Sequence, residues 1–353
     1  MAYLFGNRDD FDFGMPGSDV MHEGRVYLIT GVTGMVGRYL AESLRKEGAS
    51  VRALVRQPAQ SPWLSAIGVE CVQGDLEDAQ AIAKATSGVT HVIHTAAKVG
   101  DWGPVEEYRK VNVEGLRRLL EGCKGGNISR FVHLSSLGVY EAKDHHQTDE
   151  TVAPPARHMD GYTQSKVESE KLALELGKDL GIPVTVIRPG FIYGPHDRTV
   201  VPNLVAKIKS GDFKYLGSGQ QALNCIFVGN LVQGIRLAME SPAAVGETFN
   251  MTDGEKVSKR RFVETLCEKL KIKAPGHFGV PMPVARIMAG VGEGLYRLIG
   301  AKNPPLLTKA KLKFLGLNLD FSIEKAKRIL GYQPRFSFDE AMDQTVDWFG
   351  SIK

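Results

Sequence analysis

Through the first 190 residues the apolar positions follow two rhythms that take turns. Short, largely β-branched runs at residues 26–30 (Val-Tyr-Leu-Ile-Thr), 50–55, 69–73, 90–95, 130–135 and 183–188 have the length and composition of buried strands. Between them apolar residues recur every three or four positions. Val36, Leu40 and Leu44 follow the first run, residues 79–85 follow the third, Val113, Leu116 and Leu120 lie within 111–122, and a long stretch covers 165–180. That spacing puts each set on one face of a helix. Six strands alternating with helices predict an α/β fold on a doubly wound parallel sheet, covered on both faces.

Past Gly190 the rhythm changes. Gly194-Pro195, Pro202 and Gly217-Ser218-Gly219 interrupt helical patterns at 204–209, 231–240 and 259–270. They predict a smaller, mixed C-terminal lobe over the sheet, placed to shape a substrate pocket. The expected division is a flexible extension at 1–24, a sheet domain at 25–193 on which 223–243 packs back, and a second lobe from 194–222 and 244–353. The extension carries Asp9, Asp10, Asp12 and Asp19 among glycines and aromatics, and has neither the basic start nor the apolar stretch of a signal peptide.

Composition narrows the classes. At 353 residues the chain exceeds one usual domain. Its net charge of +4, from 44 basic and 40 acidic side chains, is too mixed to imply a nucleic-acid partner. Cys71, Cys123, Cys225 and Cys267 stand far apart, which predicts no disulfide framework and no metal site, and fits a reducing, cytoplasmic setting. No apolar run reaches the ~18 residues of a membrane span. Asp144-His145-His146 reads as a solvated turn rather than a metal site.

Two stretches carry chemistry. Thr30-Gly31-Val32-Thr33-Gly34-Met35-Val36-Gly37 turns from strand into helix. Such a turn aims free backbone N–H groups and the positive end of a helix dipole at a ligand, and missing side chains let a pyrophosphate approach. A plain glycine turn is the competing reading. In Tyr162-Thr163-Gln164-Ser165-Lys166 the spacing of four puts Tyr162 and Lys166 one helical turn apart. An ammonium there is expected to lower the phenol's pKa and fit it for proton exchange. Ser135 and Ser136 end the fifth strand at the same sheet edge and supply a hydroxyl to polarise a carbonyl.

Together with Gly74-Asp75-Leu76, His94-Thr95-Ala96-Ala97, Asn112-Val113-Glu114-Gly115 and 188–195 (Arg-Pro-Gly-Phe-Ile-Tyr-Gly-Pro), these residues resemble an extended short-chain dehydrogenase/reductase from Arg25 to Phe349. The resemblance implies a Rossmann-type fold and an oxidoreductase in which Ser136, Tyr162, Lys166 and Asn112 are catalytic. It implies cofactor contacts from Gly31, Thr33, Gly34, Met35, Val36, Gly37, Asp75, Leu76, Ala96, Ala97, Lys98, Ser135, Tyr162, Lys166, Pro189, Gly190, Phe191 and Ile192. No acidic residue ends the second strand; Arg56 stands there, and a guanidinium suits a ribose 2′-phosphate. NADP is the expected cofactor, NAD the alternative.

Leu223 stands where relatives acting on nucleotide sugars place an arginine, and Phe227-Val228-Gly229-Asn230 resembles the 3β-hydroxysteroid dehydrogenase branch, with its sterol-carboxylate dehydrogenases and 3-oxoalkanoate reductases. The expected substrate is a small hydrophobic 3-hydroxy/3-oxo compound. A nucleotide-sugar epimerase or dehydratase with bound NAD is the enzymatic alternative, and a cofactor-sensing scaffold the non-enzymatic one. From 278 to 307 the chain is unusually apolar (Val280, Met282, Val284, Ile287, Met288, Val291, Leu295, Leu298, Ile299), with Arg286 and Arg297 interspersed. Core packing is the first expectation. A substrate wall, or peripheral membrane contact through 278–313 aided by Lys302, Lys309, Lys311 and Lys313, competes with it. A homodimer is the expected assembly.

Overall fold

The computed structural model describes residues 22–299, 301 and 303–351. Nearly all of the expected 1–24 extension, Lys302 and the side chain of Arg297 therefore lie outside the described residues. Described chain begins docked: the His22 ring meets Tyr27 Oη at 3.2 Å and Glu47 at 3.3 Å.

The main sheet has seven parallel strands: β1 (Val26–Thr30), β2 (Ser50–Val55), β3 (Glu70–Gln73), β4 (His91–His94), β5 (Arg130–Leu134), β6 (Val184–Pro189) and β7 (Thr248–Met251). Their order is β7-β6-β5-β4-β1-β2-β3. The order reverses between β1 and β4, the crevice where open parallel sheets bind ligands. All six strands read from the sequence are present. β7 lies inside the range assigned to the second lobe, so that boundary is corrected: the sheet extends across it.

Side chains alternate across the sheet and build two cores. On one side, Tyr27 and Ile29 pack with Leu40 and Leu44 of α1 (Met35–Lys46) and with Leu231 and Ile235 from the helix at residues 228–240. On the other, Leu28 packs with Ile82 of α2 (Ala79–Thr86), Leu116, Leu119 and Leu120 of a later helix, and Ala173. Each fully buried Leu or Ile contributes roughly 1.5–3 kcal/mol. The pattern at 111–122 resolves into α3 (Val105–Asn112), opening after Pro104, and α4 (Glu114–Gly122), separated at Val113. α5 (Gly161–Asp179) begins one residue before Tyr162, capped by Asp160, whose carboxylate accepts the Thr163 amide at 2.7 Å. The helix α6 (Val228–Glu240) packs back on α1 as expected, with Arg236 forming an ion pair with Glu47.

The second lobe includes the helix Lys259–Lys269 and α7 (Met282–Leu298). Core packing was expected of α7, and the structure overturns it for most of the apolar residues. Ala285 and Ala289 are buried, whereas Ile287, Val291, Leu295 and Leu298 are more than half exposed. Helical spacing reveals a stripe but not which way it faces. Asp144-His145-His146 also departs from a solvated turn. His145 is buried in a strand paired with Leu319–Phe321, and its ring bonds Thr148 Oγ1 and the Glu141 carbonyl.

Candidate active site

The glycine turn is shaped by close backbone approach. Gly31 has φ +74°, and a Cβ there would meet the Ala96 amide nitrogen at 2.6 Å; at Gly37 it would meet the Gly31 carbonyl oxygen at 2.4 Å. Above Gly34 the space is open, with only the Gly31 oxygen at 3.3 Å. Gly34 caps α1, so Met35, Val36 and Gly37 offer first-turn amides while the Val36 side chain faces the core.

A cleft of about 920 Å³ runs over this turn. Gly31, Thr33 and Gly34 form its floor, Asp75, Leu76, Ala96, Ala97 and Lys98 one flank, and Arg56, Gln57, Gln60, Ser61 and Arg198 its far end. Ser135 does not line the cleft; at the end of β5 its hydroxyl is buried without a hydrogen-bond partner among the described residues. First-turn amides of α1, an open approach at Gly34 and a cationic end fit a dinucleotide. Arg198 was invisible to sequence reasoning, because nothing local ties it to Arg56. The structure brings it there through its neighbours: His196 bonds Glu42 of α1 at 3.2 Å, and Asp197 caps the helix Val200–Lys209 through the Val200 and Val201 amides. Neither Arg56 nor Arg198 has an ion-pair partner among the described residues.

Pro189, Gly190, Phe191 and Ile192 do not line this cleft. They leave β6 toward the second lobe, where Phe191–Tyr193 pairs with Cys225–Phe227 and the Phe191 ring packs against Phe262 and Phe314.

Beyond the turn, Tyr162 and Ser136 come close together, near enough for the Ser136 hydroxyl to act on the phenol, and both are half-buried. Ser136 Oγ also accepts the Gly138 amide at 3.0 Å. Burial pushes the Tyr162 phenol up to about 12, opposed by the Ser136 contact. The tuning expected of Lys166 is therefore not what sets this value. Lys166 is buried, donates to the Leu134 carbonyl at 2.7 Å, and is itself brought down to about 8 by desolvation. Behind it, His94 and His133 stack 5.4 Å apart, and burial with the Lys166 charge holds both neutral.

Asn112, expected among the catalytic residues, has its side chain held by the chain itself. Its oxygen accepts the Lys98 amide at 2.7 Å, and its nitrogen donates to the Lys98 carbonyl at 3.0 Å and to Ser165 Oγ at 2.8 Å. Its polar atoms are thus engaged in tying the Lys98 loop to α5. Lys98 itself pairs with Glu107. A similar buried lock holds α5 to the sheet: Glu170 accepts a bidentate pair from Arg188, which also donates to Tyr140 Oη at 2.8 Å. The Phe227-Val228-Gly229-Asn230 stretch is likewise structural at its last residue. Asn230 donates to Asp253 and the Phe336 carbonyl and accepts from the Arg335 and Phe336 amides.

A second cavity of about 670 Å³ opens at the start of α5. Its lining includes Trp102, Met159, Asp160 and Gly161, with Glu293 and Tyr296 of α7. Asp101 and Glu107 also face it, paired with Lys311 and Lys98, and among the described residues no Lys or Arg lines it directly. Leu223 is buried in a short strand against Val257 and Ser258.

Comparison with known proteins agrees with this geometry. Residues 27–252 match the NAD dependent epimerase/dehydratase family. A 4-hydroxy-2-methyl-3-oxo-4-farnesyl-3,4-dihydroquinoline-1-oxide ketoreductase of Stigmatella aurantiaca is 32% identical over 317 residues, covering 89% of this chain and 94% of the relative. A 3-beta-hydroxysteroid dehydrogenase of Mycolicibacterium neoaurum is 32% identical over 342 residues, covering 93% and 92%. The solved UDP-glucuronic acid 4-epimerase of Bacillus cereus shares the fold at a TM-score of 0.74 and 19% identity, over 93% of this chain and 100% of that one. The chain belongs to the NAD dependent epimerase/dehydratase family, on the extended short-chain dehydrogenase/reductase branch whose enzymes act on CH–OH groups.

Proposed function

We propose that this enzyme interconverts a secondary alcohol and a ketone on a hydrophobic 3-hydroxy/3-oxo substrate, of steroid, sterol or long-chain 3-oxo-acid type, with NADP preferred over NAD. The carrying observation is the Tyr162–Ser136 pair, one residue along the chain from Gly161 of a cavity whose described lining holds Trp102, Met159 and carboxylates but no Lys or Arg. A diphosphate would meet carboxylates on the described lining, and Leu223 is apolar where relatives acting on nucleotide sugars place an arginine. The two relatives named above support the choice, since a ketoreductase of a farnesylated ring and a steroid dehydrogenase both handle bulky apolar substrates.

In the reductive direction the Ser136 hydroxyl donates to the substrate carbonyl oxygen and Tyr162 delivers the proton to it. A phenol raised to about 12 stays protonated at neutral pH, which suits the acid role. Bound in the glycine-turn cleft, a nicotinamide dinucleotide supplies the hydride. Lys166 anchors the start of α5 under Leu134 and places a positive charge beneath the tyrosine's helix.

The test is spectrophotometric consumption of NADPH and NADH with 3-ketosteroids, 3-oxo acids and nucleotide sugars. Turnover is expected with the hydrophobic ketones and to fall roughly 10²–10⁴-fold in Tyr162→Phe while NADPH still binds. Conversion of a nucleotide sugar without net NADPH consumption would overturn the reading in favour of an epimerase. Arg56→Ala and Arg198→Ala should each weaken NADP binding about tenfold, the size of one lost charge-assisted bond, and leave NAD binding unchanged. Equal loss for both cofactors would remove the phosphate contact.

A further inference from the structure

From Lys271 to Lys313 the chain holds eight of its 44 basic side chains and one of its 40 acidic ones. That segment is therefore strongly positive while the whole chain carries only +4, and everything outside it is net negative. The one carboxylate, Glu293, is buried and accepts the Lys309 amide at 2.6 Å. Lys271, Lys273, Arg286 and Lys309 are exposed. Lys311 and Lys313, expected to contribute, are turned inward: Lys311 donates to the Pro305 and Leu306 carbonyls, Lys313 to those of Gly138 and Tyr140.

The same segment gathers the exposed apolar surface. Nine of the fifteen exposed large apolar side chains among the described residues lie between Phe278 and Leu306. Ile287 (67% exposed), Val291 (66%), Leu295 (56%) and Leu298 (84%) follow one another at steps of four or three and form one stripe along α7. Phe278 (94%) and Leu306 (81%) stand on the flanking loops. The opposite stripe, Ala285 and Ala289, packs against Leu216 and Leu312. An outward apolar stripe of this kind is a contact surface awaiting an occupant.

We propose that this face of α7 docks on an anionic lipid surface. A helix lying in the interface plane needs an apolar side, flanking cations and few exposed carboxylates, and α7 with its flanks has all three. A second copy of the chain supplies the apolar contact but brings the same positive charge, which repels; an anionic bilayer neutralises it. The inner edge of α7 contributes Tyr296 and Glu293 to the cavity beside Gly161. Docking thus sets that cavity against the membrane, so that a lipid-dissolved ketone enters without crossing water. This last consequence rests on the proposed substrate class; the docking does not.

Flotation of the full chain with vesicles tests it, without substrate or cofactor, so failure of the proposed activity leaves the result intact. The wild type is expected to float with phosphatidylcholine vesicles containing phosphatidylglycerol, on the order of tenfold more than with phosphatidylcholine alone, and to be released by salt. Ile287→Ser/Val291→Ser/Leu295→Ser should remain in the aqueous fraction, and Arg286→Glu/Lys309→Glu should lose the preference for anionic lipid. Should the triple variant not fold, Leu298→Ser carries the same expectation. Wild type that floats with neither vesicle, or a triple variant that floats as well as wild type, overturns the proposal. So does a wild-type dimer in size-exclusion chromatography that the triple variant splits, which would assign the face to a second copy.

Discussion

α5 and α7 break the ordinary inside–outside rule in opposite senses. α5 buries Ser165, Lys166, Ser169 and Glu170, whereas α7 exposes Ile287, Val291, Leu295 and Leu298. On α5 the cost of burying polar groups is offset within the molecule: Ser165 bonds the Tyr162 carbonyl, Lys166 that of Leu134, Ser169 that of Lys166, and Glu170 pairs with Arg188. On α7 the exposed apolar stripe has no such compensation in the monomer. Polar residues are buried where chemistry needs them held still, and apolar residues are left out where a partner is to cover them. Both helices border the same cavity, one through Gly161 and the other through Tyr296.

The largest test of that contrast is Glu170→Gln. It leaves the Arg188 guanidinium buried opposite a neutral amide and is expected to cost about 3–5 kcal/mol in urea unfolding. A loss under about 1 kcal/mol would mean that α5 is not held by this pair. Next is Lys166→Met. Because the folded pKa of Lys166 lies near 8, below its ordinary value of 10.5, the unfolded chain binds the extra proton between those values. Wild-type stability relative to the variant should therefore rise with pH across that window, by about 3 kcal/mol. A flat difference from pH 8 to 10.5 would show that the ammonium is not buried in solution. The smallest expected effect is on the other helix. The triple serine variant of α7 should melt within about 0.5 kcal/mol of wild type, as changes at uncovered surface positions do. A large loss would show the stripe packed inside the folded monomer and would dissolve the contrast.

Much of this architecture is legible in local sequence. Six strands and the glycine turn were readable because their signals are short-range: β-branched runs, and glycines whose neighbours leave no room for Cβ. β7 was not, since Thr-Phe-Asn-Met alternates over only four residues, too short a run to mark a strand, and it is one because β6 pairs with it. The hydrogen bonds of Asn112 to Lys98 and Ser165 were not readable either, because their partners lie 14 and 53 residues away along the chain. The expected lowering of the Tyr162 pKa by Lys166 failed because one-turn spacing fixes a helical face, not where an ammonium finds its acceptor.

By itself the sequence determined the strand–helix alternation, the turn that leaves amides free, the Tyr162–Lys166 spacing, and the arginine at the end of β2. Each depends on neighbours within a few residues along the chain. Only the tertiary structure decided that Arg198 joins Arg56, that Lys166 is desolvated under Leu134, and that the stripe of α7 faces outward. Those facts depend on which distant segments pack together, and a helical period of 3.6 carries the stripe without its direction.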